Sequence, residues 1–329
     1  MKTSTSLLLL CSLLSTTACL GGTLDDGGQT DTDADTDTDD TTTGPPVPLQ
    51  CGYGGEILED GDQVDSPDGC VSYLCQGGGL SIVEDRRVTI DGDLPLASQE
   101  AVDEQSCLGV VQGTVTISGT AADLTPLAPL YRIDGELQVI GSAATSLTGL
   151  EGLTEVGSHI TIADNASLTA LSLSYYLSAF GDVTIQNNDA LTSLAGAEFI
   201  GQCGNCIAVS HRPGALADRL DAQAEPAGDG GADQPPGGNF YGNILIADND
   251  VLADVWAISN LYWAWANVTF RNNAALTTLV GLQLNQVQGN LEISDHAAMP
   301  TADAEAFAAG IAVQGTTTIC GNQGGTPCG

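Results

Sequence analysis

The sequence predicts an all-β-dominated solenoid of about nine short rungs, and three regularities predict it. Apolar pairs separated by one residue recur along the chain: Val115/Ile117, Leu137/Val139, Ile160/Ile162, Val183/Ile185, Ile207/Val209, Ile244/Ile246, Val268/Phe270, Leu291/Ile293 and the more polar Thr317/Ile319. Their successive intervals are 22, 23, 23, 24, 37, 24, 23 and 26 residues, and a period this constant marks stacked coils. An asparagine returns three residues after the second apolar member, at Asn165, Asn188, Asn249, Asn273 and Asn322. A glycine often stands two residues before the first, at Gly113, Gly135, Gly181, Gly242, Gly289 and Gly315.

Each part of the repeat has a physical reading. The alternating triplet is a strand with two side chains turned inward. One coil cannot bury that face alone, whereas stacked coils can, and at ~4.8 Å per rung nine of them span about 40 Å. Leucines three apart, as in Leu147, Leu150 and Leu153, line the return of the coil. Asparagine tolerates turn geometry, and its amide can bond both backbone and the asparagine of the next rung, which predicts a ladder along one edge. Val88/Ile90 reads as an earlier, irregular copy. The interval of 37 carries about 14 surplus residues, and the Pro- and Gly-rich segment 222–238 reads as a loop pushed out of one rung.

Ahead of the repeat lie three further segments. Residues 1–18 have the form of an export signal: Lys2, an apolar run from Leu7 to Leu14, then Ser15, Thr16, Thr17 and Ala18. The run is too short for a permanent membrane span. Residues 19–50 hold the alternating Asp/Thr stretch 31–43 and then Gly44-Pro45-Pro46, an acidic tether with too little apolar surface to fold. Alternate aspartates also suit calcium, but the glycine turn and closing glutamate of an EF-hand loop are missing. Residues 51–84 carry Cys51, Cys70 and Cys75 in a small cysteine-rich module, and 85–329 hold the solenoid.

Three resemblances follow from these residues. Thr16-Thr17-Ala18-Cys19 resembles a bacterial lipobox, with Thr16 where leucine is usual. The resemblance implies that Cys19 is lipidated and becomes the mature N-terminus, and that Leu20, which is not aspartate, leaves the protein free to reach the outer membrane and the cell surface. The other reading is an ordinary signal peptide cut near Ala18. Cys51-Gly-Tyr-Gly-Gly and Asp68-Gly69-Cys70-Val-Ser-Tyr-Leu-Cys75 resemble the von Willebrand type C module, with Tyr73 in place of its middle cysteine. Residues 181–194 and 266–279 look like the receptor L-domain repeat, a right-handed, leucine-rich-repeat-like solenoid of receptor ectodomains and bacterial surface lipoproteins. That family implies an architecture and a surface location, and no set of ligand residues.

Exported cysteines read as disulfides. The pairing among Cys51, Cys70, Cys75 and Cys107 stays open from sequence. Cys203 and Cys206 form C-x-x-C near His211, which reads as a local staple in preference to a zinc or redox site. Cys320 and Cys328 read as a clasp on the last turn.

Composition narrows the function. The 329 residues include 42 Asp+Glu against 7 Lys+Arg, a formal charge of −35. Lys2 is the one lysine, so a mature chain has none for a Schiff base or a phosphate-binding loop. Such a surface repels nucleic acid. No cofactor or metal site is expected. Polysaccharide-degrading β-helix enzymes are the catalytic alternative, but the column Asp164, Asn187, His211, Asp248, Asn272, Asp295 alternates carboxylates with neutral groups and does not pair them for acid–base work. The expected function is therefore a non-catalytic, envelope-displayed solenoid that binds protein or neutral glycan, with a plain structural spacer as the alternative.

The candidate ligand surface is aromatic. Tyr262, Trp263 and Trp265 crowd one coil, and Tyr241 falls in the column of Trp265 one rung earlier. Leu261 and Ala264 take the inward positions, so these rings are surplus to the core. They either form an exposed platform or pack beneath the 222–238 loop or against the cysteine-rich module.

Overall fold

The computed structural model describes residues 49–174, 177–200 and 238–329. They form two compact units, one ending at Asp85 and one beginning at Arg86.

The first unit is a small antiparallel assembly. Gln50–Tyr53 pairs with Glu56–Glu59, and Val71–Gln76 lies between Gln63–Asp65 and Gly79–Asp85. Its buried centre is Cys51, Leu58 and Cys75, with Tyr53, Val64 and Leu80 packed against them. So few apolar residues give a marginal core, and the Cys51–Cys75 disulfide compensates (S–S 2.09 Å). Cys70 and Cys107 are disulfide-bonded as well.

The second unit is a β-solenoid. One face is a sheet of nine parallel strands enclosing eight turns. We number its rungs by these strands: rung 1 Leu94–Leu96, rung 2 Val115–Gly119, rung 3 Leu137–Ser142, rung 4 Ile160–Ala163, rung 5 Val183–Gln186, rung 6 Ile244–Ala247, rung 7 Val268–Arg271, rung 8 Leu291–Ser294 and rung 9 Thr317–Cys320. Each expected apolar pair of rungs 2–8 is buried. A lateral face carries five short parallel strands, from Val88–Ile90 to Ser178–Ala179, and then four more: Gly238–Phe240, Leu261–Ala264, Gln286–Val287 and Ala312–Val313. Leu147, Leu150 and Leu153 are fully buried on the return.

Two expectations about rungs are corrected. Val88/Ile90 belongs to the lateral sheet, and the rung-1 strand is Leu94–Leu96 instead. Pro95 occupies its outward position. That strand is the sheet edge, so the N–H that proline lacks is not needed. Secondly, rung 5 pairs directly with rung 6, Val183 to Ile244 and Ile185 to Ile246. The expected rung at Ile207/Val209 therefore does not stand between them. Residues 201–237, with Cys203, Cys206, His211, Ile207 and Val209, lie outside the described residues.

The recurring polar residues now have causes. Asn165, Asn188, Asn249 and Asn273 are fully buried and form one ladder. In each, the side-chain Oδ1 accepts from the backbone of the rung before, as Asn188 Oδ1 does from Asn165 N (3.2 Å) and Nδ2 (3.0 Å). The Nδ2 group donates to an inward residue's carbonyl of that earlier rung: Asn188 to Ile162, Asn249 to Ile185, Asn273 to Ile246, Asn322 to Ile293. The residue before each ladder position has left-handed backbone: Asp164, Asn187, Asp248, Asn272 and Asp295 at φ 48–60°, with Gly321 at 67°. Asp and Asn tolerate that region better than other side chains do. The column glycines sit where coils touch. A Cβ on Gly242 would lie 2.2 Å from the Gly181 carbonyl oxygen, and one on Gly135 2.6 Å from Gly113 backbone.

Candidate functional site

The aromatic cluster sits on the four-stranded lateral face. Asn239, Trp263, Gln286 and Ala312 are laterally paired across it, and Phe240, Ala264, Val287 and Val313 form the adjoining row. Phe240, Ala264 and Val287 are buried. The strand Leu261–Ala264 holds one residue more than its neighbour, since Gly238 pairs with Leu261 but Asn239 pairs with Trp263. Tyr262 is that extra residue. A bulge of this kind breaks the strict alternation of faces, so Tyr262 and Trp263 both remain half-buried between buried Leu261 and Ala264.

The chain then turns a corner, and the corner residue of each coil is bonded to the coil before. Trp265 N donates to Phe240 O (2.8 Å), and Gln288 N donates to Ala264 O (2.8 Å). This fixes a column Tyr241, Trp265, Gln288, Gln314 along the solenoid. Tyr241 (48 % exposed) and Trp265 (43 %) are near-parallel and displaced, with centroids 5.8 Å apart and planes at 12°. Trp263 meets Trp265 edge-on at 5.8 Å and 76°. The Tyr262 hydroxyl accepts from Asn285 Nδ2. The four expected rings thus divide into an exposed pair, Tyr241 and Trp265, and a half-buried pair, Tyr262 and Trp263, of which Trp263 braces Trp265. Such rings offer large contact area with little rotamer entropy to lose.

The polar columns behave as scaffold. Asn187 Nδ2 donates to Asp164 Oδ1 (2.9 Å) and Asn272 Nδ2 to Asp248 Oδ1 (2.7 Å), so the alternating column holds two hydrogen-bonded Asp–Asn pairs. Arg271 adds a guanidinium 3.8 Å from Asp248. His159, which has no partner visible in sequence, accepts at Nδ1 from Asp182 N (2.8 Å). Among the described residues, no group of three or more His, Cys, Asp and Glu is arranged to hold a metal. None of their helices is long and apolar enough to cross a membrane. The clasp on the last turn is present as a Cys320–Cys328 disulfide.

Two surface features went unread in the sequence. Trp256 (68 % exposed) and Val280 (80 %) occupy equivalent places, seven residues after Asn249 and Asn273. A second ladder runs just before the rung strands. Asn243 Oδ1 accepts from Asn267 N (3.1 Å), Asn267 Oδ1 from Asn290 N (2.7 Å), and Asn290 Oδ1 from Thr316 N (2.8 Å). It is exposed, and its bonds point the opposite way along the chain from those of the buried ladder. The signal was an asparagine immediately before Ile244, Val268 and Leu291.

No family model, no curated protein and no solved structure matches this chain.

Proposed function

We propose that this is an exported envelope lipoprotein, anchored through Cys19, whose solenoid is a non-catalytic binding module for a neutral glycan or a protein. The observation that carries the reading is the exposed Tyr241–Trp265 pair braced by Trp263 on a rigid, parallel-stranded face. Exposed rings stacked on one another and set beside paired strands lose little freedom on contact with a ligand. The charge of −35 disfavours anionic glycans and leaves uncharged sugars or a basic protein surface. The signal-like residues 1–18, the lipobox-like Cys19 and the acidic tether support display at the bacterial outer membrane, facing the cell surface.

The test presents neutral glycans, anionic glycans and envelope proteins to the mature chain and to its Trp263→Ala/Trp265→Ala variant. Binding to a neutral glycan or a protein that the variant loses while staying folded supports the module. A second reading, a structural spacer, is favoured by the half-burial of Tyr262 and Trp263. Absence of any binding, or unfolding of the variant, favours that spacer.

A further inference from the structure

The buried ladder has one member that is not an asparagine. His296 stands in rung 8 between Asn273 and Asn322 and is fully buried. Its Nδ1 takes the place of an asparagine Oδ1, 3.2 Å from Asn273 N, and the His296 backbone N–H donates to Asn322 Oδ1 (3.0 Å). The same Nδ1 also lies 3.2 Å from Asn273 O. Its Nε2 is buried with no hydrogen-bond partner among the described residues. The neutral ring with Nδ1 unprotonated satisfies the Asn273 N–H as Asn188 or Asn249 would. An imidazolium carries protons on both nitrogens, so it cannot accept from that N–H and it buries a charge.

We propose that His296 is an acid-sensitive joint in the ladder, and that its protonation releases rungs 8 and 9 from rung 7 while rungs 1–6 stay formed. The surroundings agree. Rung 7 presents Asn273 and the Phe270 backbone to the ring, and rung 9 presents Asn322 to the His296 backbone N–H, none of them titratable. Arg271 is held by Asp248, and the acids of helix Thr301–Ala308, Asp303 and Glu305, are exposed. Asp295 beside the ring, together with backbone at Asn273 and Phe270, favours the cation. Burial opposes it more strongly and moves the imidazole below its ordinary value of 6.5. With the folded value depressed, the joint is intact above pH 6.5 and weakens as pH falls from 6.5 toward the lowered value.

Hydrogen exchange of the full chain, corrected for intrinsic exchange, tests this between pH 7.5 and 5, above the range where ordinary carboxylates titrate. Protection at 291–294 and 317–320 is expected to fall by up to about tenfold per pH unit below 6.5, while 160–163 and 183–186 hold. His296→Asn should flatten that dependence. Imidazole nitrogen shifts in the unaltered chain supply a second readout, with Nδ1 unprotonated at pH 7. The proposal is overturned if His296→Asn keeps the same slope, if rungs 8 and 9 show no slope, or if His296 is a cation at pH 6 with both rungs protected.

Discussion

Replacing Asn188 with alanine should cost far more than replacing Asn267, although each is one asparagine in one ladder. Asn188 is fully buried. Its side chain accepts from Asn165 N and Nδ2 and donates to Ile162 O (3.0 Å) and Asn249 Oδ1 (3.2 Å). Alanine strands two to three of these groups out of reach of solvent. At about 1–3 kcal/mol for each buried unsatisfied group, the expected loss is roughly 2–9 kcal/mol. Asn267 donates to Asn243 Oδ1 (2.8 Å) and accepts from Asn290 N (2.7 Å), but at an exposed edge where water replaces both. There the loss should be about 0.5–1 kcal/mol. Solenoids can unfold piecemeal, so the assay is site-resolved hydrogen exchange together with denaturant melting. Asn188→Ala should lower protection first at rungs 4 and 5. A loss below about 1 kcal/mol at Asn188, or equal losses at both sites, would refute the view that burial of the ladder gives it its strength.

Gly242→Ala should destabilise the rung 5–rung 6 junction by about 1–3 kcal/mol, because the new Cβ meets Gly181 backbone at 2.2 Å; a melting curve unchanged from the parent would contradict the contact. Cys320→Ser/Cys328→Ser should loosen rung 9 alone, by about 2.5 kcal/mol for so short a loop, seen as early proteolysis near the C-terminus with the remaining rungs protected. Cys19→Ser should release the protein from membranes or leave an unprocessed precursor, checked by fractionation and intact mass.

Much of the architecture is legible because a solenoid repeats its physics. Inward pairs must alternate, tight coil contacts favour glycine, and the ladder favours an amide at one position, so Val183, Gly181 and Asn188 each mark their column. The errors arise where that physics is imitated or suspended. Ile207/Val209 has the inward alternation, yet the sheet bonds rung 5 to rung 6 across 61 residues, since pairing depends on the flanking columns as well as on two apolar side chains. Rung 1 is hidden because Pro95 and the aspartates around it look like a turn, and only its place at the sheet edge makes proline acceptable there. Two-residue lateral strands such as Arg132–Ile133 are too short to show any period. At the aromatic site the residues were legible and their division was not. The bulge that places Tyr262 and Trp263 side by side comes from pairing with Asn239, which no spacing along one strand reveals.

The claim that the aromatic corner is where this protein meets its ligand rests most directly on one titration. The mature chain and its Trp263→Ala/Trp265→Ala variant are compared by calorimetry against the strongest neutral glycan or protein from the array, with circular dichroism of both recorded first. The account predicts identical spectra and a loss of affinity of at least tenfold in the variant, about 1.4 kcal/mol or more for an exposed Trp265 braced by Trp263. Equal affinity in two equally folded proteins would contradict it.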